Sequence, residues 1–110
     1  MIQVPAQPPK FQTGQTVCHR RYGYRGVVVA VDPQCAAPPA WYESNRTQPL
    51  RQQPWYHVLV HGSATTTYAA QENLMPDESG ADISHPLIEA YFDGFVDGVY
   101  SRNQRPWQGW

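Results

Sequence analysis

The stretch FQTGQTVCHRRYGYRGVVVAVDP, residues 11–33, decides the fold. It sets two short strand patterns on either side of a turn rich in Gly, Tyr and Arg. Successive side chains along a strand point to opposite faces. Val17 and His19 therefore share one face of the first strand, and Val27, Val29 and Val31 share one face of the second. Val28 and Ala30 make the other face of the second strand apolar as well, so this strand belongs in the middle of a sheet. Gly23 and Gly26 bracket Tyr24 and Arg25, which suits a tight connection whose tip shows an aromatic ring and a cation to solvent. The pair reads as the opening hairpin of a small antiparallel β-barrel.

Downstream, residues 34–54 form an insert carrying Pro38, Pro39, Pro49 and Pro54, longer than an ordinary connection. Trp41 and Tyr42 are costly to leave in water, so the insert is expected to fold back over the barrel or against a neighbouring subunit. WYHVLVH, residues 55–61, alternates as a strand, His61 to Ala64 supplies a turn, and TTTYAA, residues 65–70, is its antiparallel partner. Residues 73–76 close the barrel region. Pro86 suits the first turn of a helix. Ile88, Tyr91, Phe92, Phe95 and Val99 then fall on one stripe at helical spacing, opposite Glu89, Asp93 and Asp97. The expectation is a mainly β protein with one C-terminal amphipathic helix over roughly residues 86–99. Residues 1–10, with three prolines, are expected to be a disordered arm, residues 11–100 the domain, and residues 101–110 a mobile tail in which Trp107 and Trp110 are adhesive elements.

Length and composition limit what else the chain can be. At 110 residues it supports one core. No apolar run approaches the roughly 20 residues that cross a bilayer, and prolines occupy the N-terminus where a signal peptide has its apolar stretch. A soluble, cytoplasmic protein is expected. Cys18 and Cys35 are too few for a disulfide scaffold. The net charge of −1 argues against strong non-specific binding to nucleic acid, but it hides an asymmetry. Six cations against two acids give residues 1–57 a charge of +4, and two cations against seven acids give residues 58–110 a charge of −5.

Residues able to carry catalysis are not legible. His57 and His61 stand four apart in a strand, roughly 13 Å from one another, too far to chelate one ion. Cys18 and His19 are adjacent and so face opposite ways. There is no nucleophile paired with a base, no phosphate-cradling GxxxxGK[ST] and no GxGxxG after a strand. No catalytic residue, metal or cofactor is therefore expected. Binding chemistry remains: His19, Arg20, Arg21, Tyr24 and Arg25, with Tyr22 among them, can contact phosphates and stack on bases, or meet an acidic protein surface. Tyr91, Phe92 and Phe95 on the helical stripe are the candidate docking face for a partner.

With these residues in view, the chain resembles the HspQ family, also called the YccV-like or hemimethylated DNA-binding domain proteins. The resemblance rests on GQTVCHRRYGYRGVVVAVDP at 14–33, PWYHVLV at 54–60 and TYAAQENL at 67–74. It implies an SH3-like barrel, a heat-shock accessory role without catalysis, and self-association into a homo-oligomer. It also implies binding to hemimethylated DNA, and assistance to an ATP-dependent protease in degrading denatured or regulatory proteins. The alternative is a module that only assembles with itself. Cys18 departs from the family pattern, since a basic residue is expected there, and this removes a cation from the hairpin on which DNA binding relies.

Overall fold

The structure is a computed structural model that describes residues 7–109. The hairpin is formed by β1 (Thr16–His19) and β2 (Arg25–Asp32), and β2 pairs on its other side with β3 (Trp55–Val60). Next to β3 lies β4 (Thr66–Ala70), and β5 (Leu74–Pro76) pairs with β1. All four pairings are antiparallel, and the order is β4-β3-β2-β1-β5, so β2 is the central strand. A register shift between Val28 and Ala30 puts a bulge at Val29 and bends the strand.

The two edges of this sheet are consecutive in the chain, separated only by a 3-10 turn at Gln71–Asn73. Five flat strands would hold their edges about 19 Å apart. Four residue steps reach about 14 Å even when fully extended. The sheet must therefore curl until its edges approach, and no ladder joins β4 to β5 among the described residues. Inside the curl lie Val17, Val28, Tyr56, Val58 and Leu74, with the ring of Phe11 edge-on to Tyr56 at 5.4 Å. The N-terminal approach is fixed there too. The backbone N–H of Lys10 donates to Tyr56 Oη at 3.1 Å and to Gln71 Oε1 at 2.8 Å. Residues 1–6 of the arm expected to be disordered lie outside the described residues.

The C-terminal region corrects the sequence reading. In place of a helix over residues 86–99, a single helical turn, α2 (Ile88–Tyr91), leads into an antiparallel hairpin of β6 (Phe92–Val96) and β7 (Val99–Arg102). Asp97 and Gly98 join the two strands with φ of 52° and 79°, the backbone of a two-residue turn with both central residues left-handed. Phe92, Phe95, Val96, Val99 and Tyr100 favour a pleated strand, and Gly94 and Gly98 weaken a helix. Ser101 and Arg102, assigned to the tail, continue β7.

This hairpin packs on the outer face of the curled sheet. Val27, Val29, Leu59, Ile83, Tyr91, Phe92 and Tyr100 form a second core there. Gly14 joins the two sheets: its N–H donates to the Val28 carbonyl at 2.8 Å, and its carbonyl accepts from the Tyr100 N–H at 2.9 Å. Its φ of +92° is open to glycine, and a Cβ would collide with the Tyr100 carbonyl oxygen. The insert folds back on this same chain. Its one helix, α1 (Pro39–Ser44), brings Trp41 and Tyr42 edge-on to Trp55, each at 6.3 Å.

Candidate functional site

The tip between β1 and β2 is organised by His19. Its backbone N–H donates to the Tyr24 carbonyl at 2.9 Å, and its carbonyl accepts from Gly23 N–H at 2.9 Å. Its ring Nδ1 accepts the backbone N–H groups of Arg21 and Tyr22, both at 3.1 Å, so the imidazole is neutral with its proton on Nε2. Burial, and after it the charge of Arg21, lowers its pKa in the same direction. The ring lies between Tyr22, stacked at 4.7 Å, and Tyr24 at 5.1 Å. His19 is only 7% exposed, and its role in this chain is to hold the turn.

That turn displays Arg20 and Arg21 to solvent, neither with an ion-pair partner among the described residues. Tyr22 beside them is 50% exposed, with the Arg21 guanidinium 5.9 Å from its ring centre. Arg25 is committed elsewhere. It pairs with Asp77 at 2.8 Å, donates through Nε to the same carboxylate at 2.9 Å, and reaches the Ala81 carbonyl at 2.8 Å. Burial alone would raise the Asp77 pKa, but the hydrogen bonds from Arg25 and Ser79 outweigh it and hold the carboxylate below its ordinary range. Tyr24 is half-buried, its hydroxyl 2.8 Å from Thr67 Oγ1. Of the five hairpin residues singled out in the sequence, Arg20 and Arg21 face outward, while His19, Tyr24 and Arg25 are bound into the fold.

A groove of about 290 Å³ runs beside this tip. Its floor is β4, one wall carries His19, Tyr22 and Tyr24, and the other carries Trp41, Asn45 and Arg46 from the insert. Arg46 is exposed and adds a third outward cation on this side of the molecule. Sequence reasoning passed over it, although its place in a polar Asn-Arg-Thr turn just after an aromatic pair was a usable signal. Behind the groove, Asp32 Oδ2 accepts from Tyr68 Oη at 2.6 Å and lies 3.2 Å from His57 Nε2. The carboxylate favours an imidazolium on His57, yet burial outweighs it and lowers the pKa, so the contact is a hydrogen bond from a neutral ring.

The expected docking stripe is differently placed. Tyr91 and Phe92 are buried in the second core, at 6% and 5% exposure, and Phe95 packs on Tyr100 at 4.4 Å. Arg102 and Arg105 lie 5.0 and 5.6 Å from the centre of the Tyr91 ring, and Trp107 packs 5.1 Å from it. The exposed apolar residues of this hairpin are Val96 and Val99, at its tip. Trp110, the other adhesive element expected of the tail, lies outside the described residues. Among the described residues, no three His, Cys, Asp or Glu side chains converge to hold a metal ion, and no helix is long and apolar enough to cross a membrane.

Comparison with known proteins places this geometry in a family. The chain is 35% identical over 96 residues to F-box only protein 21 of Mus musculus and, equally, to that of Homo sapiens. The match takes in 84% of this chain but 15% of those proteins, so the chain spans about a seventh of the length of the curated relatives it matches. The family model described as hemimethylated DNA-binding protein YccV like matches residues 9–99, a range that runs from the Lys10 anchor through both sheets to β7. On that match, covering the curled sheet, the arginine turn and the docked hairpin as far as the start of β7, the chain belongs to the YccV-like family.

Proposed function

We propose that this chain is a non-catalytic module that binds duplex DNA through the turn carrying Arg20, Arg21 and Tyr22, with Arg46 extending the positive surface across the groove. One observation carries the reading. Two adjacent guanidiniums are held outward by a buried neutral histidine and have no acid to neutralise them among the described residues. Phosphates are the partners such groups fit, and the family description names DNA. The acidic residues of the β6–β7 hairpin, Asp93 and Asp97, are exposed on a different element and keep the net charge low. The exposed Tyr22 ring is the group suited to reading a methyl in the major groove, which gives hemimethylated DNA a physical basis.

Retention on a short duplex, measured across a salt series, tests this. With about three phosphates contacted, log K should fall against log salt with a slope of about −3. Arg20→Ala and Arg21→Ala should each weaken binding for every sequence and flatten the slope by about 1. Tyr22→Ala should instead erase any preference between hemimethylated and unmodified duplexes. A slope near zero for the unaltered chain overturns DNA binding.

A second reading, accessory contact with protein in stress-linked proteolysis, is supported by the exposed apolar pair Val96 and Val99. Adding the chain to a purified ATP-dependent protease should then raise turnover of a denatured model substrate, and Val96→Ser with Val99→Ser should blunt the rise. Unchanged turnover removes this reading.

A further inference from the structure

The outer edge of β4 presents open hydrogen-bonding groups at Thr66 and Ala70. The ladder to β3 fixes which groups face outward: Val60 N–H donates to the Thr65 carbonyl, and Gln71 N–H donates to that of Pro54. Alternation then turns Thr65, Thr67 and Ala69 toward β3, and Thr66, Tyr68 and Ala70 toward the groove. The N–H and carbonyl of Thr66 and the N–H of Ala70 have no partner among the described residues. Exposed edges are normally blunted by charge, proline or a bulge. The other edge obeys this, since β5 has three residues and ends at Pro76. β4 reads TTYAA, with no charge and no proline, and its pairing runs without a register shift.

The walls say what kind of strand would fit. Thr67 lies on the face where Tyr24 bonds it, beside His19 and the exposed Tyr22, a ring-bearing wall, whereas Tyr68 and Ala70 lie on the face covered by Trp41, whose segment also brings Asn45 and Arg46 to the groove. No carboxylate lines the groove, and Arg46 is exposed without an ion pair among the described residues. From this juxtaposition we propose that β4 accepts an extended segment of a partner protein by strand addition, with acidic side chains toward Arg46 and apolar ones toward Tyr22 and Tyr24. Main-chain hydrogen bonds supply the affinity, and the two unlike walls read alternate side chains of the incoming strand. This site shares Tyr22 and Arg46 with the DNA reading but is separable from it, because it uses the edge of β4 and needs neither Arg20 nor Arg21.

The probe is a fluorescein-labelled nine-residue peptide of alternating Glu and Val, set against a Lys/Val peptide and a Glu/Val peptide N-methylated at alternate residues. Anisotropy should show saturable binding of the first. Binding of the N-methylated peptide should be weaker by more than about tenfold, because several main-chain bonds are lost. Arg46→Glu, a surface change that leaves the fold intact, should weaken binding about fivefold. Thr66→Pro should abolish it, since that N–H is not used in the ladder to β3. Hydrogen exchange should slow at the Thr66 and Ala70 amides when the Glu/Val peptide is present.

Equal binding of the N-methylated or Lys/Val peptide overturns the proposal. So does amide protection that maps away from β4. Protection of Thr66 and Ala70 that rises with protein concentration alone makes a second copy the occupant and overturns the partner assignment. Protection by single-stranded oligonucleotide, with none from the peptide, does the same in favour of a base-stacking groove. Loss of duplex retention with peptide binding intact removes only the DNA reading.

Discussion

Arg21 and Arg25 are four residues apart and carry the same charge, but burial assigns them different tasks. Arg21 lies on the outer turn, so its removal should leave stability within about 0.5 kcal/mol of the unaltered chain and be felt in binding. Arg25 compensates Asp77, whose side chain is only 4% exposed. Arg25→Ala leaves that carboxylate buried without its cation and also frees the 77–82 segment, which Arg25 ties down through the Ala81 carbonyl. The expected cost is about 3 kcal/mol, read from urea unfolding. Asp77→Ala in the Arg25→Ala background should restore part of the loss, because the stranded charge is gone. If Arg25→Ala unfolds with the midpoint of the unaltered chain, the ion pair is not a tie between β2 and the 77–82 segment.

Among the elements, Gly14 is where the two sheets depend on a single backbone. Gly14→Ala adds a Cβ against the fixed Tyr100 carbonyl at a positive φ, so it should cost more than about 3 kcal/mol. Gly23→Ala also meets a positive φ, but open space surrounds it, and about 1 kcal/mol is expected. Comparing the two by thermal unfolding separates the collision from the dihedral strain common to both. β1 through β4 were legible because alternation and burial agreed over most of their length: Val27 and Val29 face one core, Val28 the other, and Tyr56 and Val58 follow the same rule in β3, whereas the bulge at Val29 turns Val31, expected beside Val27 and Val29, onto the core of Val28. The C-terminal hairpin was not, because Ile88, Tyr91, Phe92 and Phe95 satisfy a helical stripe as readily as a bulged strand, whose register shift between Phe92 and Gly94 breaks alternation. Asp97-Gly98 was the signal that would have resolved it. At the candidate site, residue type singled out the β1–β2 hairpin as a whole. Only coordinates separate Arg20 and Arg21 from Arg25, since Asp77 lies 52 positions further along the chain.

Taken as one molecule, the chain builds its curled sheet and its arginine turn around two histidines, His19 and His57, that the fold keeps neutral, and this makes stability depend on pH in a determined sense. His19 and His57 both have pKa values lowered chiefly by burial. For His57 the nearby Asp32 works against burial without reversing it. The unfolded chain, with ordinary values near 6.5, therefore binds protons that the folded chain refuses. The stabilisation is complete above about pH 6.5 and is lost as pH falls below it, with a slope of at most about 1.4 kcal/mol per pH unit for each histidine. Asp77 acts in a lower window: its depressed pKa contributes stability that is present above about pH 4 and lost only as its folded value is crossed. Urea midpoints should therefore drop between pH 7 and pH 5.5. His57→Gln keeps a hydrogen-bond donor for Asp32 but cannot charge, and it should flatten that drop. Midpoints that instead rise on acidification would mean that the Asp32 contact outweighs burial and that His57 folds as an imidazolium. Protonating His19 removes the Nδ1 acceptor that holds Arg21 and Tyr22 in place, so DNA retention should hold as pH falls through 6.5 and weaken only at the lower pH where the folded chain takes up that proton. A retention that strengthens steadily from pH 7 to pH 5.5 would show that net charge, rather than the ordered turn, governs the contact.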